Sequence, residues 1–167
     1  MALRNISVYP DPVLKKEAEN IKDINDPEIK TLIEDMWECM YHYDGIGLAA
    51  PQVGVSKKIA VIDFEGEKYT LINPVITERF GSRKEDEGCL SFPGIYVNVE
   101  SPESIKVEYE NENGEFIKRD VDGFLACVFS HEIDHLYGRT LIDRVSAIKR
   151  QFIKKKMEKY NRYKEEI

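Results

Sequence analysis

The most constraining stretch of this chain is the pentapeptide at 131–135, His-Glu-Ile-Asp-His, which follows the mostly apolar run 123–130. Two histidines four positions apart lie on one face of a helix, where both imidazoles can bind a single cation. Glu132 occupies the position of a general base in helices of this kind. His131 and His135 could instead be core residues with satisfied nitrogens. With Glu132 between them, we favour a metal site on a buried helix.

A third protein ligand must come from elsewhere in the chain. One zinc-protease pattern extends the motif as H-E-x-x-H-x-x-G-x-x-H, but Leu141 stands where the last histidine would be. A thermolysin-like site needs a downstream glutamate, and Glu158 lies in a lysine-rich tail. Cys89 lies in a glycine-containing turn, whereas the other two cysteines fall on predicted helices. Cys-His-His plus water is an acceptable open catalytic site for a first-row divalent metal.

Length and composition indicate a single soluble domain spanning residues 1–167. The 42% apolar content is ordinary for a globular chain, and no apolar run approaches the ~20 residues of a membrane span. The N-terminus lacks the apolar core of a signal peptide, so we expect a cytoplasmic location and no membrane partner. An odd number of cysteines in a reducing compartment argues against disulfides; the cysteines are Cys39, Cys89 and Cys127.

Charge is distributed unevenly along the chain. The net charge is −7, yet residues 144–167 carry nine Lys or Arg and three Asp or Glu. The preceding residues are correspondingly acidic. A basic tail on an acidic body suggests an anionic partner, although a solvated helix face is an equally plausible interpretation from the sequence alone.

Periodicity and turn signals predict both helices and strands. Asp26 and Pro27 are typical of a helix start, and apolar residues continue at helical spacing over 27–43. Lys57–Phe64 and Lys68–Asn73 predict one hairpin, and Ile105–Glu110 with Phe116–Val121 predict a second around Asn113-Gly114. The charged stretch Arg79–Glu87 is interpreted as a surface loop. A basic C-terminal helix is predicted at about 146–165 from Ile148, Phe152, Ile153 and Met157.

Two further segments contain glycines beside chemically useful side chains. Residues 45–54 read Gly-Ile-Gly-Leu-Ala-Ala-Pro-Gln-Val-Gly, which indicates backbone that another group approaches closely. The spacing does not match a nucleotide-binding loop. Gln52 could donate a hydrogen bond to a substrate oxygen or simply close the turn. Residues 87–94 read Glu-Gly-Cys-Leu-Ser-Phe-Pro-Gly.

The three segments 45–54, 87–93 and 131–138 resemble, in the same order, the three signature motifs of bacterial peptide deformylases. The short gap between the first two is similar to the shorter form of that family. We therefore expect an α+β single domain, with antiparallel β-sheets packed around the central HExxH helix and with N-terminal and C-terminal helices.

The resemblance implies a metal-dependent hydrolase that removes the N-formyl group from formyl-methionine at the start of new polypeptides. Cys89, His131 and His135 would hold one divalent ion, Fe²⁺ first and Zn²⁺ or Ni²⁺ as alternatives. Glu132 would be the general base and acid, and the Gln52 amide and Leu90 N–H would stabilise the oxyanion. Ile46 and Gly47 would present backbone to the peptide substrate. Ile46, Gly88 and Val128 would shape a pocket for the methionine side chain.

The resemblance also implies partners and leaves alternatives open. The substrates would be formyl-methionyl nascent peptides, and the basic C-terminal helix would bind the ribosome surface; no specific DNA binding is expected. The rivals are an HExxH metallopeptidase of other specificity and a non-catalytic ribosome-binding relative. The chain departs from the family pattern at Ser130, usually glutamine, and in 95–101, which lacks the usual arginine.

Overall fold

An antiparallel five-stranded sheet with a helix on each face forms the centre of the fold. The computed structural model describes residues 3–166. The strands of this sheet lie in the order β1-β2-β3-β6-β7, and β4 pairs with β5 in a separate two-stranded sheet. The strands are β1 Gly47–Ala49, β2 Ile59–Phe64, β3 Glu67–Phe80, β4 Arg83–Cys89, β5 Phe92–Ser101, β6 Ser104–Glu110 and β7 Phe116–Asp122; the helices are α1 Pro27–His42, α2 Gly123–Leu136 and α3 Ala147–Glu166.

Strand β2 is buried on both faces because α1 and α2 cover opposite sides of the sheet. Ile59 and Val61 pack into the cluster that contains the apolar residues of α1. Ala60 and Ile62 point the other way, into the cluster formed with α2. Successive side chains of a strand alternate between faces, so a continuous apolar run places one set of side chains against each helix.

Helix α1 begins where the sequence predicts. The carboxylate of Asp26 accepts a hydrogen bond from the Glu28 N–H at 2.9 Å, and Pro27 takes the first helical position. Such a cap contributes about 1 kcal/mol to stability. The helix ends at His42, one residue before the predicted boundary, and the Gly45 N–H donates to the Met40 carbonyl.

Helix α3 confirms the predicted C-terminal helix, but only two of the four apolar residues used to predict it face the core. Ile153 and Met157 are buried in a cluster with Phe92 of β5. Asn161 donates to the Tyr9 carbonyl, which also fixes the helix to the body of the fold. Ile148 and Phe152 are 84% and 56% exposed. Helical spacing therefore identified the helix but did not distinguish its buried stripe.

The prediction of a surface loop at Arg79–Glu87 is wrong. Strand β3 continues to Phe80, and β4 begins at Arg83 after a turn with Gly81 at φ 62°. The sequence also does not predict the continuation of β3 beyond Asn73 or the strand β5. Both hairpins are confirmed, with β2 paired to β3 and β6 paired to β7.

The α+β fold class is confirmed, including antiparallel sheets around the histidine helix. Residues 1, 2 and 167, which the single-domain prediction also covered, lie outside the described residues. The three cysteines are unpaired thiols, as expected. Within residues 3–166, no helix combines the length and apolar character needed to cross a bilayer.

Candidate metal centre

Cys89, His131 and His135 converge at the junction of the two sheets and α2. Cys89 is the last residue of β4, and the two histidines lie one turn apart on α2. One donor atom from each residue lies within 4.8 Å of the others. The Cys89 Sγ is 3.4 Å from the His135 Nε2. The structure thus brings together the three side chains that the sequence proposed as ligands.

The donor set fits a divalent metal ion in spacing and in chemistry. Donors around a tetrahedral ion, with metal–sulfur about 2.3 Å and metal–nitrogen about 2.0–2.1 Å, lie roughly 3.3–3.6 Å apart. The sulfur–nitrogen separation in this site falls in that range. Three protein ligands are also typical of catalytic centres, which keep a position for water or substrate. A thiolate and two imidazoles suit first-row divalent metals.

Burial and hydrogen bonding affect the two histidines differently. Burial lowers the pKa of His135, and the neighbouring His131 lowers it further, which favours the neutral, ligating imidazole. Burial would also lower the pKa of His131, but hydrogen bonds with Cys89 and Glu87 outweigh it and raise that pKa.

His131 is oriented by Glu87. Its Nδ1 lies 3.0 Å from Oε1 of Glu87, so the ring can donate there and present Nε2 to the cluster. Ser101 donates to Oε2 of the same carboxylate at 3.0 Å. Although burial alone would raise the pKa of Glu87, the His131 hydrogen bond and the charge of Arg144 lower it. A carboxylate behind a ligating histidine fixes the ring and its tautomer.

Glu132 is buried beside β1 and lacks a fixed partner on one oxygen. Its side chain is 4% exposed, and Oε2 has no hydrogen-bond partner among the described residues. Burial raises the pKa of Glu132 to about 7. A Cβ at Gly47 would lie 2.8 Å from Oε2, so the glycine leaves room for this carboxylate. The arrangement is suited to a group that exchanges a proton near neutral pH.

Gln52 is held between β1 and the turn that follows Cys89. It lies in the short 3₁₀ helix Ala50–Val53 and is 1% exposed. Its Oε1 accepts from the Ala49 N–H at 3.0 Å, which fixes the orientation of the amide. Its Nε2 lies 3.4 Å from the Cys89 Sγ and 3.2 Å from the Ser91 Oγ. The amide donor therefore points at the thiol of the cluster rather than into solvent.

The remaining predicted site residues lie on the elements that carry the cluster. Leu90 directly follows Cys89, and its side chain would be 3.3 Å from a Cβ at Gly45. Gly88 directly precedes Cys89 and is exposed, and Ile46 is 45% exposed beside Gly47. Val128 is half-buried on α2, one turn before His131. Their proposed roles remain predictions.

The sequence does not reveal the roles of Ser101, Arg144 and Glu87 in the site. The place of Glu87, two positions before Cys89, is the signal that could have identified it. Arg144 donates to Oε1 of Glu87 at 3.1 Å and also contacts the Ser101 hydroxyl. It lies nine residues after His135, and no spacing rule relates the two.

Similarity to known proteins agrees with this geometry. The family model described as Polypeptide deformylase matches residues 3–151. A peptide deformylase of Thermotoga sp. (strain RQ2) is 46% identical over 91% of this chain and 93% of the relative. One from Acidobacterium capsulatum is 44% identical over 97% of this chain and 98% of the relative.

Solved structures of peptide deformylases are also similar to this chain. The crystal structure of a peptide deformylase from Legionella pneumophila has a TM-score of 0.91 at 38% identity, covering 98% of both chains. That of a peptide deformylase from Ehrlichia chaffeensis, in complex with actinonin, has a TM-score of 0.91 at 37% identity and covers 97% of this chain and 99% of the other. With the sequence matches, these similarities show that the chain belongs to the polypeptide deformylase family.

Proposed function

We propose that this protein hydrolyses the N-formyl group of formyl-methionine at the start of newly made polypeptides and releases formate. The observation that carries the proposal is the buried Glu132 carboxylate. Its Oε1 lies 3.8 Å from Nε2 of His131, and its Oε2 would lie 2.8 Å from a Cβ at Gly47. Glu132, the three clustered donor residues and the edge strand β1 thus lie close together, which supports hydrolysis of an amide at the end of a peptide.

Cys89, His131 and His135 would hold the metal ion. When bound, the ion would supply Lewis acidity towards water and the formyl carbonyl. Glu132 takes the proton from the attacking water through its unpartnered Oε2 and then gives it to the departing amine. The pKa of Glu132, raised to about 7 by burial, suits both steps near neutral pH.

Gln52 and Leu90 would stabilise the negative charge that develops on the formyl oxygen. The Gln52 amide is already held by the Ala49 N–H and pointed towards Cys89, so little reorganisation accompanies the reaction. The backbone N–H of Leu90 follows the same cysteine and would be the second donor. Donors fixed in this way contribute about 3–4 kcal/mol each to transition-state stabilisation.

The peptide would bind along β1. This strand lies at the edge of the five-stranded sheet, and an extended peptide can pair with such an edge through its backbone. Gly47 would present backbone to the peptide. Ile46, Gly88 and Val128 would line the pocket for the methionine side chain, and the 45% exposure of Ile46 leaves apolar surface available for that contact.

The metal would be Fe²⁺, with Zn²⁺ or Ni²⁺ able to occupy the same ligands. A half-buried thiolate beside ferrous iron is sensitive to oxidation, so activity should be lost faster in air than under anaerobic conditions. We also propose that residues 1–167 act as one catalytic domain in the cytoplasm.

A formate-release assay tests the proposed function. Anaerobically purified protein should contain one divalent ion per chain and release formate stoichiometrically from a formyl-Met-Ala-Ser peptide. The acetyl-Met peptide of the same sequence is the matched control and should react far more slowly. Cleavage at internal amides without formate release would instead support a metallopeptidase, and metal binding with neither activity would support a non-catalytic relative.

We further propose that the exposed basic face of α3 binds the ribosome surface. Truncation is a poor test, because Ile153 and Met157 of this helix are buried in the core. Lys155 and Lys159 are exposed one turn apart on α3. Their charge and exposure support an electrostatic contact with phosphates.

Replacing Lys155 and Lys159 together with glutamate should weaken ribosome binding by at least about 10-fold at low salt. Each lysine that neutralises a phosphate contributes roughly 0.7–0.9 to the slope of log affinity against log salt concentration, so the slope should fall by about 1–2. Sedimentation with ribosomes at several salt concentrations measures both quantities. Lys106 and Lys118, exposed on β6 and β7, are the matched control pair. Equal loss of binding in both double variants would contradict the proposal.

A further inference from the structure

We propose that Arg144 is a positioning residue of the metal centre, which holds Glu87 in the orientation that fixes His131. The inference rests on the proposed function, because it assigns a role towards the same ion. Arg144 belongs to the short 3₁₀ helix Leu141–Arg144, which follows α2. It hydrogen-bonds to none of the three donor residues in the contacts of the described residues, so its hydrogen-bonded connection to a ligand runs through Glu87.

The guanidinium of Arg144 is largely buried and points inwards. Its side chain is 13% exposed, and that of Glu87 is 8% exposed. Nη1 donates to Oε1 of Glu87 at 3.1 Å, and Nη2 donates to the hydroxyl of Ser101 and to the Glu100 carbonyl at 3.4 Å. Its Nε is 4.0 Å from Asp134 on α2. Arg144 therefore connects β4, β5 and the histidine helix.

The hydrogen bonds form a directed path from Arg144 to the metal ligand. Oε1 of Glu87 accepts from both Arg144 and His131. Its other oxygen accepts from Ser101, which in turn accepts from Arg144. Both oxygens of the carboxylate are thus fixed, one directly and one through the serine. Rotation of Glu87 away from His131 would break at least two of these contacts.

The geometry favours an arginine over a lysine. The planar guanidinium places two N–H groups side by side, one for Glu87 and one for Ser101, whereas an ammonium offers a point charge without this fork. Residues 95–101 contain no basic residue, so β5 contributes the serine but no positive charge. Within residues 3–166, Arg144 is the one Arg or Lys that forms an ion pair with Glu87.

The local backbone keeps Arg144 in place independently of the site. Leu141 and Ile142 are buried in the cluster with α3. The Asp143 carboxylate accepts from the Thr140 N–H at 2.9 Å and closes the start of the turn. The guanidinium is therefore presented from a rigid segment, as a residue that orients another group requires.

Arg144→Met should release bound Ni²⁺ to excess chelator several-fold to at most about 100-fold faster than the wild-type protein, because loss of Glu87, the direct partner of His131, would itself cost about 10–100-fold. Arg144→Lys should fall between the two, because it retains the charge without the fork. The turnover number of the Ni²⁺-loaded variants should fall while KM stays within about twofold. Arg139, exposed five residues earlier in the chain, supplies the control variant Arg139→Met, which should match wild type.

A double-mutant cycle with Glu87→Gln separates positioning from general destabilisation. If Arg144 acts through Glu87, the double variant should lose Ni²⁺ about as fast as Glu87→Gln alone. Multiplicative effects, or a wild-type release rate in Arg144→Met, would overturn the inference. Should Arg144→Met fail to fold, a wild-type rate in Arg144→Lys would overturn it equally. A wild-type protein that binds no ion would instead refute the proposed function.

Discussion

Glu132→Gln should lower the rate of formate release by about 10²–10⁴-fold while leaving the metal ion bound. This range is typical for the loss of a general acid or base. Glutamine has nearly the shape of glutamate, so it fills the buried space against Gly47 but cannot take up a proton. Glu132 lies outside the cluster of three donor atoms, and the metal content should therefore stay at one ion per chain.

Metal analysis and a formate assay on the same preparation test this expectation. Glu132→Ala should be as inactive as Glu132→Gln and less stable, because it leaves a cavity at a buried position. Glu78→Gln, an exposed position on β3, controls for the loss of one negative charge and should be fully active. A metal-loaded Glu132→Gln protein with more than about a tenth of wild-type turnover would exclude Glu132 as the proton carrier.

The elements that the sequence predicts well are those with strong local signals. Helix α1 combines a capping carboxylate at Asp26 with proline at the first helical position, and the structure reproduces both. The hairpin around Asn113-Gly114 follows from its turn residues, with Gly114 at φ 79°. In each case the information lies within a few residues, so tertiary contacts were not needed to interpret it.

The Arg79–Glu87 loop was predicted wrongly because β4 is defined by its pairing with β5, which the composition of β4 does not indicate. Strand β4 reads Arg-Lys-Glu-Asp-Glu-Gly-Cys, which has low intrinsic β-propensity. Its register against β5 runs from Arg83 opposite Ser101 to Gly88 opposite Tyr96. Such pairing depends on the partner strand, and a single strand's composition does not reveal it.

The candidate site also contains some residues that local spacing predicts and others that only the folded structure reveals. Spacing alone predicts that His131, Glu132 and His135 share one region of a helix, and the convergence of Cys89 on them followed from elimination and from family resemblance. The positions of Ser101 and Arg144 depend on the pairing of β5 and on the turn after α2. Groups that support ligands come from distant parts of the chain, so their roles appear only in three dimensions.

Cys89→Ala should lose both the metal ion and the activity. Removing this thiol leaves two imidazoles as the protein ligands, and the loss of affinity should exceed the roughly 10–100-fold typical of losing a partner of a ligand. Cys127→Ala is the matched control. Cys127 is a buried thiol on α2, four residues before His131, and it is not among the three clustered donor residues. Its replacement should retain one ion per chain and near wild-type turnover.

Cys89→Asp tests whether the metal site needs an anionic donor at position 89. A carboxylate restores negative charge and a ligand atom, so this variant should bind Zn²⁺ or Ni²⁺ more tightly than Cys89→Ala does, and less tightly than the wild-type protein. Competition with a chelator of known affinity measures all three proteins. Because the thiolate is a softer donor than the carboxylate, the order of metal preference should also shift towards metals that favour oxygen. Full metal content in Cys89→Ala would remove the thiol from the ligand set and with it the proposed centre.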